Sequence, residues 1–221
     1  MDQLLETRDI VLVPRGAAPK TGADDPVDYY YRPLTAWLYR GRLRLAVRLL
    51  EPERFASVLE VGYGSGIFLP ELARHAERLT GIEVHDEAAR VGSMLRRFRV
   101  EAELHRCSLF EMPFAEGAFD GLVCLSVLEH LTELDRALNE LRRVLRPGGI
   151  AVLGFPVRNP VTDAFFRLAG YNPRELHPSG HRDILAAARR HPGFVVERDG
   201  RLPWILPLSV SAYAACRCRA V

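Results

Sequence analysis

At 221 residues, with 48% hydrophobic and 26% charged side chains, the chain can build a substantial core, which excludes a disordered or fibrous class. Thirty basic side chains against 28 acidic ones leave a net charge of +2, too small to predict a nucleic-acid partner. There is no N-terminal apolar leader and no long apolar span, and Cys107, Cys124, Cys216 and Cys218 form no C-x-x-C pair, so the expectation is a cytoplasmic protein with free thiols and no stable membrane insertion.

In chain order, Ile10-Val-Leu-Val13 reads as a short strand or a clip against the core. Pro14 to Pro26 is rich in Gly, Ala, Pro and Asp and reads as a mobile loop. Tyr29-Tyr30-Tyr31 follows; Tyr30, Tyr31 and Arg32 are candidates for a lid over a ligand, although an aromatic run needs no function. Pro33 suits a first helical turn, and Leu34, Trp37, Leu38, Leu45, Leu49 and Leu50 recur at helical spacing, which predicts an amphipathic helix over 33–50. Arg40, Arg42, Arg44 and Arg48 decorate it, either as a solvated face or as a contact for an acidic substrate or membrane surface.

Val58 to Val61 reads as a buried strand that runs into Gly62-Tyr63-Gly64-Ser65-Gly66, and Ile67 to Ala76 as the following helix. Glycines without Cβ let a ligand approach bare backbone, and the helix start offers unpaired N–H groups, which is the nucleotide-binding corner of an open α/β sheet. Strands are then expected at about 57–61, 79–84, 101–106, 119–125 and 150–155, with helices at 67–78, 87–98 and 132–146. Asn159 to Gly170 and Pro178 to His191 read as helical, Phe194 to Arg198 as a sixth strand and Ile205 to Cys218 as the last. Alternating strand and helix implies a mostly parallel sheet covered on both faces. A single domain over 1–221 is expected, with 1–50 as an N-terminal lid and helix and 156–191 as an acceptor-side insertion.

The spacing Glu60-x-Gly62-x-Gly64-x-Gly66 differs from the dinucleotide fingerprint. It resembles the first motif of class I S-adenosylmethionine-dependent methyltransferases. Gly81-Ile-Glu83-Val84-His85, the stretch Phe114 to Leu131 and the stretch Leu141 to Pro156 resemble later segments of that family in its order. The resemblance spans roughly 55–156. It implies a Rossmann-like, doubly wound, mostly parallel seven-stranded sheet of order 3-2-1-4-5-7-6, with the seventh strand antiparallel. It implies S-adenosyl-L-methionine as cofactor, with Gly62, Tyr63, Gly64 and Gly66 approaching its methionine part and ribose and Glu60 reaching its amino group. Glu83 lies about twenty residues after the first glycine, where an acid takes the ribose hydroxyls. Val84 and His85 fall beside the adenine. Ser108 stands where many relatives carry an acid, so its hydroxyl or the Leu109 N–H is left to read the adenine edge. Leu125 and Ser126 should line the site near the sulfonium.

Methyl transfer asks the protein mainly for orientation, and for a base only when the acceptor must lose a proton. His130, His177 and His181 are the candidate bases. Each has a structural alternative: His130 as a turn residue, and the other two flanking a helix start at which Ser179 is the expected N-cap. Tyr30, Tyr31, Ser126 and Asn159 are candidates for the acceptor pocket. Relatives with Glu-x-x-Glu-His here bind a divalent metal; Ser126-Val-Leu-Glu129-His130 lacks the first glutamate, so no metal is expected. The expected reaction is methylation of a small-molecule acceptor, with oxygen favoured over nitrogen or carbon. The alternatives are a cofactor-binding protein without transfer activity, a lipid-linked acceptor and a nicotinamide-dependent oxidoreductase. A homodimer is left open.

Overall fold

The computed structural model describes residues 3–6, 10–22, 25–51, 54–160, 162 and 178–221. A small antiparallel hairpin, β1 (Leu5–Glu6) and β2 (Val11–Leu12), precedes α1 (Pro33–Leu50). The elements that follow are β3 (Phe55–Val61), α2 (Leu69–Leu72), β4 (Ala76–Glu83), α3 (Ala88–Arg97), β5 (Glu103–Arg106) and β6 (Phe119–Leu125). The chain continues through α4 (Leu134–Val144), β7 (Leu145–Pro156), α5 (His181–Arg190), β8 (Phe194–Leu202) and β9 (Tyr213–Ala220).

Strands β3 to β9 form one sheet of order β5-β4-β3-β6-β7-β9-β8, with β9 antiparallel to both neighbours. This is the order 3-2-1-4-5-7-6 once the hairpin strands are set aside. The period of two along the central strands sends alternate side chains into two cores. Leu59, Val61, Leu122, Cys124, Leu153 and Phe155 enter one core, where Ala137, Leu141 and Val144 of α4 and Ile184 and Ala188 of α5 cover them. Val58, Val123, Ile150 and Val152 enter the other, under Leu43, Ala46 and Leu50 of α1 and Val91 and Leu95 of α3. The chain leaves β3 towards β4 on one side and returns to β6 on the other. Ligands of open α/β sheets sit at the carboxyl ends of the strands beside such a switch point.

The predicted helix over 67–78 is a correction. Only Leu69–Leu72 is helical, and β4 already starts at Ala76, paired with Phe55. The cause is tertiary: β2 packs on this turn, and the buried Glu71 carboxylate accepts the Val11 N–H at 2.6 Å and contacts His75 Nε2 at 3.1 Å. Ile10, Val11, Leu12 and Val13 are buried, so this run is a clip against the core. The last strand starts at Tyr213, because Leu208–Val210 forms a 3-10 turn after Pro207. The first residue before α5 is Gly180, whose N–H is accepted by Asp183 Oδ2 at 2.9 Å; the Ser179 hydroxyl donates to Leu131 O instead of capping the helix. The helix expected over 159–170 and His177 lie outside the described residues, apart from 159, 160 and 162.

Candidate active site

At the end of β3 the backbone turns through positive φ at Gly62 (80°) and Gly64 (51°), a region that side chains disfavour. The two glycines serve different ends. A Cβ on Gly62 would lie 2.4 Å from Val127 Cγ2, so Gly62 lets the turn after β6 close in. A Cβ on Gly64 would meet nothing within 4 Å, so Gly64 faces open space. Gly66 packs against α3 through Val91.

The Gly64 peptide is clamped from β4. Glu83 Oε2 accepts the Gly64 N–H at 3.0 Å, while its Oε1 accepts the Val84 N–H at 2.8 Å. His85 Nε2 lies 3.0 Å from Gly64 O, and its Nδ1 accepts the Glu87 N–H at 3.2 Å. A carbonyl can only accept, so Nε2 carries the ring proton. The Tyr63 ring turns away into the space left by Gly81 and stands edge-on to His85. Val84 is exposed at this edge.

Glu60 is buried two residues before Gly62, and its Oε2 has no hydrogen-bond partner. Burial, and then the charge of Glu83, push its carboxyl up to about 8. Such an oxygen calls for a donor, and a cationic amine meets that need. Further along the edge, Ser108 Oγ accepts the Phe110 N–H at 3.2 Å and Leu109 is buried in the turn it caps.

A second polar cluster sits at the end of β6. Leu125 and Ser126 are partly buried, and Ser126 holds φ of 57°. The Ser126 hydroxyl accepts from Arg42 Nη1 at 3.2 Å and lies 3.2 Å from the Tyr213 hydroxyl. Arg42 Nε and Nη2 both donate to the Tyr30 hydroxyl. The guanidinium carbon stands 4.7 Å from the centre of the Tyr39 ring, 5.2 Å from Tyr30 and 6.0 Å from Tyr213. Three rings around a cation stabilise its charge. Glu129 joins through Ser126. Burial pushes the Glu129 carboxyl up to about 8, against the pull of its own backbone N–H, of Arg42 and of Ser126, and its Oε2 has no partner.

A family model described as a methyltransferase domain matches residues 59–153, the stretch that carries the turn, its β4 clamp and the end of β6. A ubiquinone biosynthesis O-methyltransferase of Alkalilimnicola ehrlichii is 29% identical over 128 residues, 57% of this chain and 52% of the relative. A probable S-adenosylmethionine-dependent methyltransferase of Mycolicibacterium smegmatis is 34% identical over 143 residues, 63% of this chain and 52% of the relative. Residues 59–153 form a class I S-adenosylmethionine-dependent methyltransferase domain.

The fold of the N-methyltransferase NodS from Bradyrhizobium japonicum, solved with S-adenosyl-L-homocysteine, superposes with a TM-score of 0.68 at 24% identity, covering 91% of this chain and 94% of that one. The chain spans about half the length of the curated relatives it matches (52% of each). The cofactor of the methyltransferase domain is S-adenosylmethionine, and the residues present fit it. The open side of Gly64 leaves room for it, and the orphan oxygen of Glu60 suits its amino group. Glu83 would hold the ribose hydroxyls, and His85, Val84, Ser108 and Leu109 would follow the adenine.

The structure brings Tyr30 and Ser126 of the expected acceptor residues together around Arg42. Tyr31 is directed elsewhere: its hydroxyl donates to Val13 O and ties the lid to the clip. Asn159 Nδ2 donates to Ser211 O at 2.9 Å and its Oδ1 accepts the Thr162 N–H, which braces the β8–β9 connection. His130 is exposed in a 3-10 turn. His181 is buried at the start of α5, where Nδ1 accepts the Arg158 N–H at 3.2 Å and burial lowers its pKa. Sequence reasoning missed Tyr213, named Arg42 only among the arginines of the 33–50 helix, and named Glu129 only within a metal motif. For Arg42 a signal existed: Ala46 and Leu50, one and two turns on, share its stripe and are fully buried.

Proposed function

We propose that the protein transfers the methyl group of S-adenosylmethionine to an oxygen of a small-molecule acceptor. The observation that carries this reading is Arg42, a guanidinium fixed at the carboxyl end of β6 by Tyr30 and Ser126. When bound, the cofactor supplies a methyl carbon already activated by positive sulfur. A fixed cation beside the acceptor lowers the pKa of a hydroxyl and favours the oxyanion that attacks. The same cation raises the cost of bringing in a protonated amine. Ser126 and Tyr213 offer hydroxyls that orient an acceptor oxygen, and Glu129, with its carboxyl pushed up to about 8, is suited to take a proton near neutral pH. The O-methyltransferase among the relatives supports the same choice.

The test is a panel of phenols, hydroxy acids and amines, assayed with an isotopically labelled methyl donor. O-methylated products are expected. Arg42→Gln should shift the pH profile of turnover upward, because the acceptor hydroxyl then ionises later. Methylation of amines alone would overturn the oxygen assignment. Tight cofactor binding without any product would favour a binding protein.

A further inference from the structure

Helix α1 lies antiparallel along β8, and their contacts keep a fixed step. Arg198 Nη2 donates to Leu49 O at 3.3 Å and to Glu51 O at 2.9 Å. Two strand residues on, a Cβ on Gly200 would lie 2.5 Å from Leu45 Cδ1. Two further on, Leu202 Cδ1 lies 3.1 Å from the Cβ position of Gly41. Two strand residues rise about 6.6 Å and four helix residues about 6 Å, so helix and strand keep in step as far as Leu202, where β8 ends. The chain then turns over Pro203–Leu206, so Trp204 and Ile205 follow directly on the residue that meets Gly41, and Trp37 lies one helix turn before that glycine.

That end of the helix and the β8–β9 connection share an apolar rim. Leu34, Trp37, Trp204, Ile205 and Val210 are 89%, 54%, 75%, 68% and 49% exposed. Leu34, Trp37 and Gly41 fall on one helix face. Neither α1 nor residues 203–212 contain an acid, while Arg32, Arg40 and Arg201 flank the rim. The adjoining turn carries Asp25, taken up by Thr21 and the Val27 N–H, and Asp28.

The rim borders the acceptor side. β8 runs parallel to β7, so Leu202 ends at the carboxyl edge of the sheet. Tyr213, where the chain returns, pairs with Leu202 and Pro156 and meets the Ser126 hydroxyl. Exposed tryptophans beside arginines match an interface of hydrocarbon and anionic headgroups.

We infer that this rim docks on a lipid bilayer bearing anionic headgroups and so presents the site to an amphiphilic acceptor, an inference that rests on acceptor entry beside Arg42. The area is small and carries no spanning helix, so the contact is peripheral and reversible.

The test is vesicle flotation with phosphatidylcholine alone and with equal parts of phosphatidylcholine and phosphatidylglycerol. Wild type should float with the mixed vesicles and much less with the neutral ones, and high salt or Arg32→Gln should weaken the association. Trp204→Ser with Ile205→Ser should lower the partition about tenfold or more, with affinity for S-adenosylhomocysteine unchanged. Trp37→Ser, on a separate element, should give a loss in the same direction even if the double variant folds poorly. No association with mixed vesicles, or equal association with both compositions, would overturn the inference. So would a dimer in sedimentation that Trp37→Ser dissolves, since the rim would then cover a second copy. Vesicle binding needs no turnover, so it stands or falls separately from the choice of acceptor oxygen.

Discussion

Glu83 fixes the turn through both oxygens, Oε2 on the Gly64 N–H and Oε1 on the Val84 N–H, and it is the residue expected to take the ribose hydroxyls. Glu83→Ala therefore removes a ligand and loosens the turn. Loss of a charge-assisted pair should cost about 1.5–3 kcal/mol of cofactor affinity, roughly 10- to 100-fold. Titration calorimetry with S-adenosylhomocysteine reads this directly, and an unchanged affinity with the fold retained would remove Glu83 from the site. Glu60 carries a pH signature. Its carboxyl is pushed up to about 8 in the folded chain, against about 4.3 for an unperturbed glutamate. The folded state thus holds a proton that the unfolded state has released. That contribution to stability is full below the unfolded value and is lost as pH rises through the folded one. Glu60→Gln, which cannot ionise, should gain on wild type in thermal melts as pH is raised from about 5 to 8. Parallel melting curves across that range would show that Glu60 is not strained by burial.

At the scale of elements, the docking of α1 rests on arginines from the far strands. Arg217, buried on β9, donates from Nη1 to Leu49 O at 2.8 Å and to Leu50 O at 3.0 Å, carbonyls at the end of α1. Its Nε pairs with Glu197 on β8 at 2.8 Å. Arg217→Met would leave those carbonyls and Glu197 short of a donor, and should lower unfolding free energy by about 2–4 kcal/mol in denaturant titration. Arg219, then Arg217, holds the Glu197 carboxyl below the usual range. The sign is opposite to that of Glu60: this contribution is present above the unfolded pKa and lost as pH falls through the folded one. Glu197→Gln should therefore cost stability at neutral pH and little in acid. The elements differ in how far the sequence disclosed them. Helix 33–50 and strand 119–125 were legible to the residue, because a sustained period or a compact apolar run with turn signals on both sides fixes them locally. The helix expected over 67–78 was not, because Ile67, Phe68, Leu69 and Leu72 are apolar for a different reason: they receive the clip from residues 10–13. The glycine turn and the strand that ends at Glu83 were legible because their signals are local. Arg42 and Tyr213 were not: 171 positions of sequence (213 − 42) separate two groups that only the sheet order brings together.

For the whole molecule, the N-terminal segment is part of the core as well as of the site. Ile10, Leu12 and Val13 are at most 1% exposed, and the Tyr31 hydroxyl is tied to Val13 while Tyr30 holds Arg42. Deleting residues 1–13 should thus reduce stability by an amount on the order of several kcal/mol, seen as an earlier urea midpoint, in addition to slowing turnover. A deletion that left the midpoint unchanged would make the segment a lid and nothing more. The account as a whole turns on whether the open side of Gly64 is where the methyl donor sits. Titration calorimetry of S-adenosylmethionine into wild type and Gly64→Val decides it. Stoichiometric binding to wild type is predicted, with binding abolished in the variant while circular dichroism stays native, since a side chain there fills free space at positive φ. Undiminished binding to the variant, or none to the wild type, would contradict it.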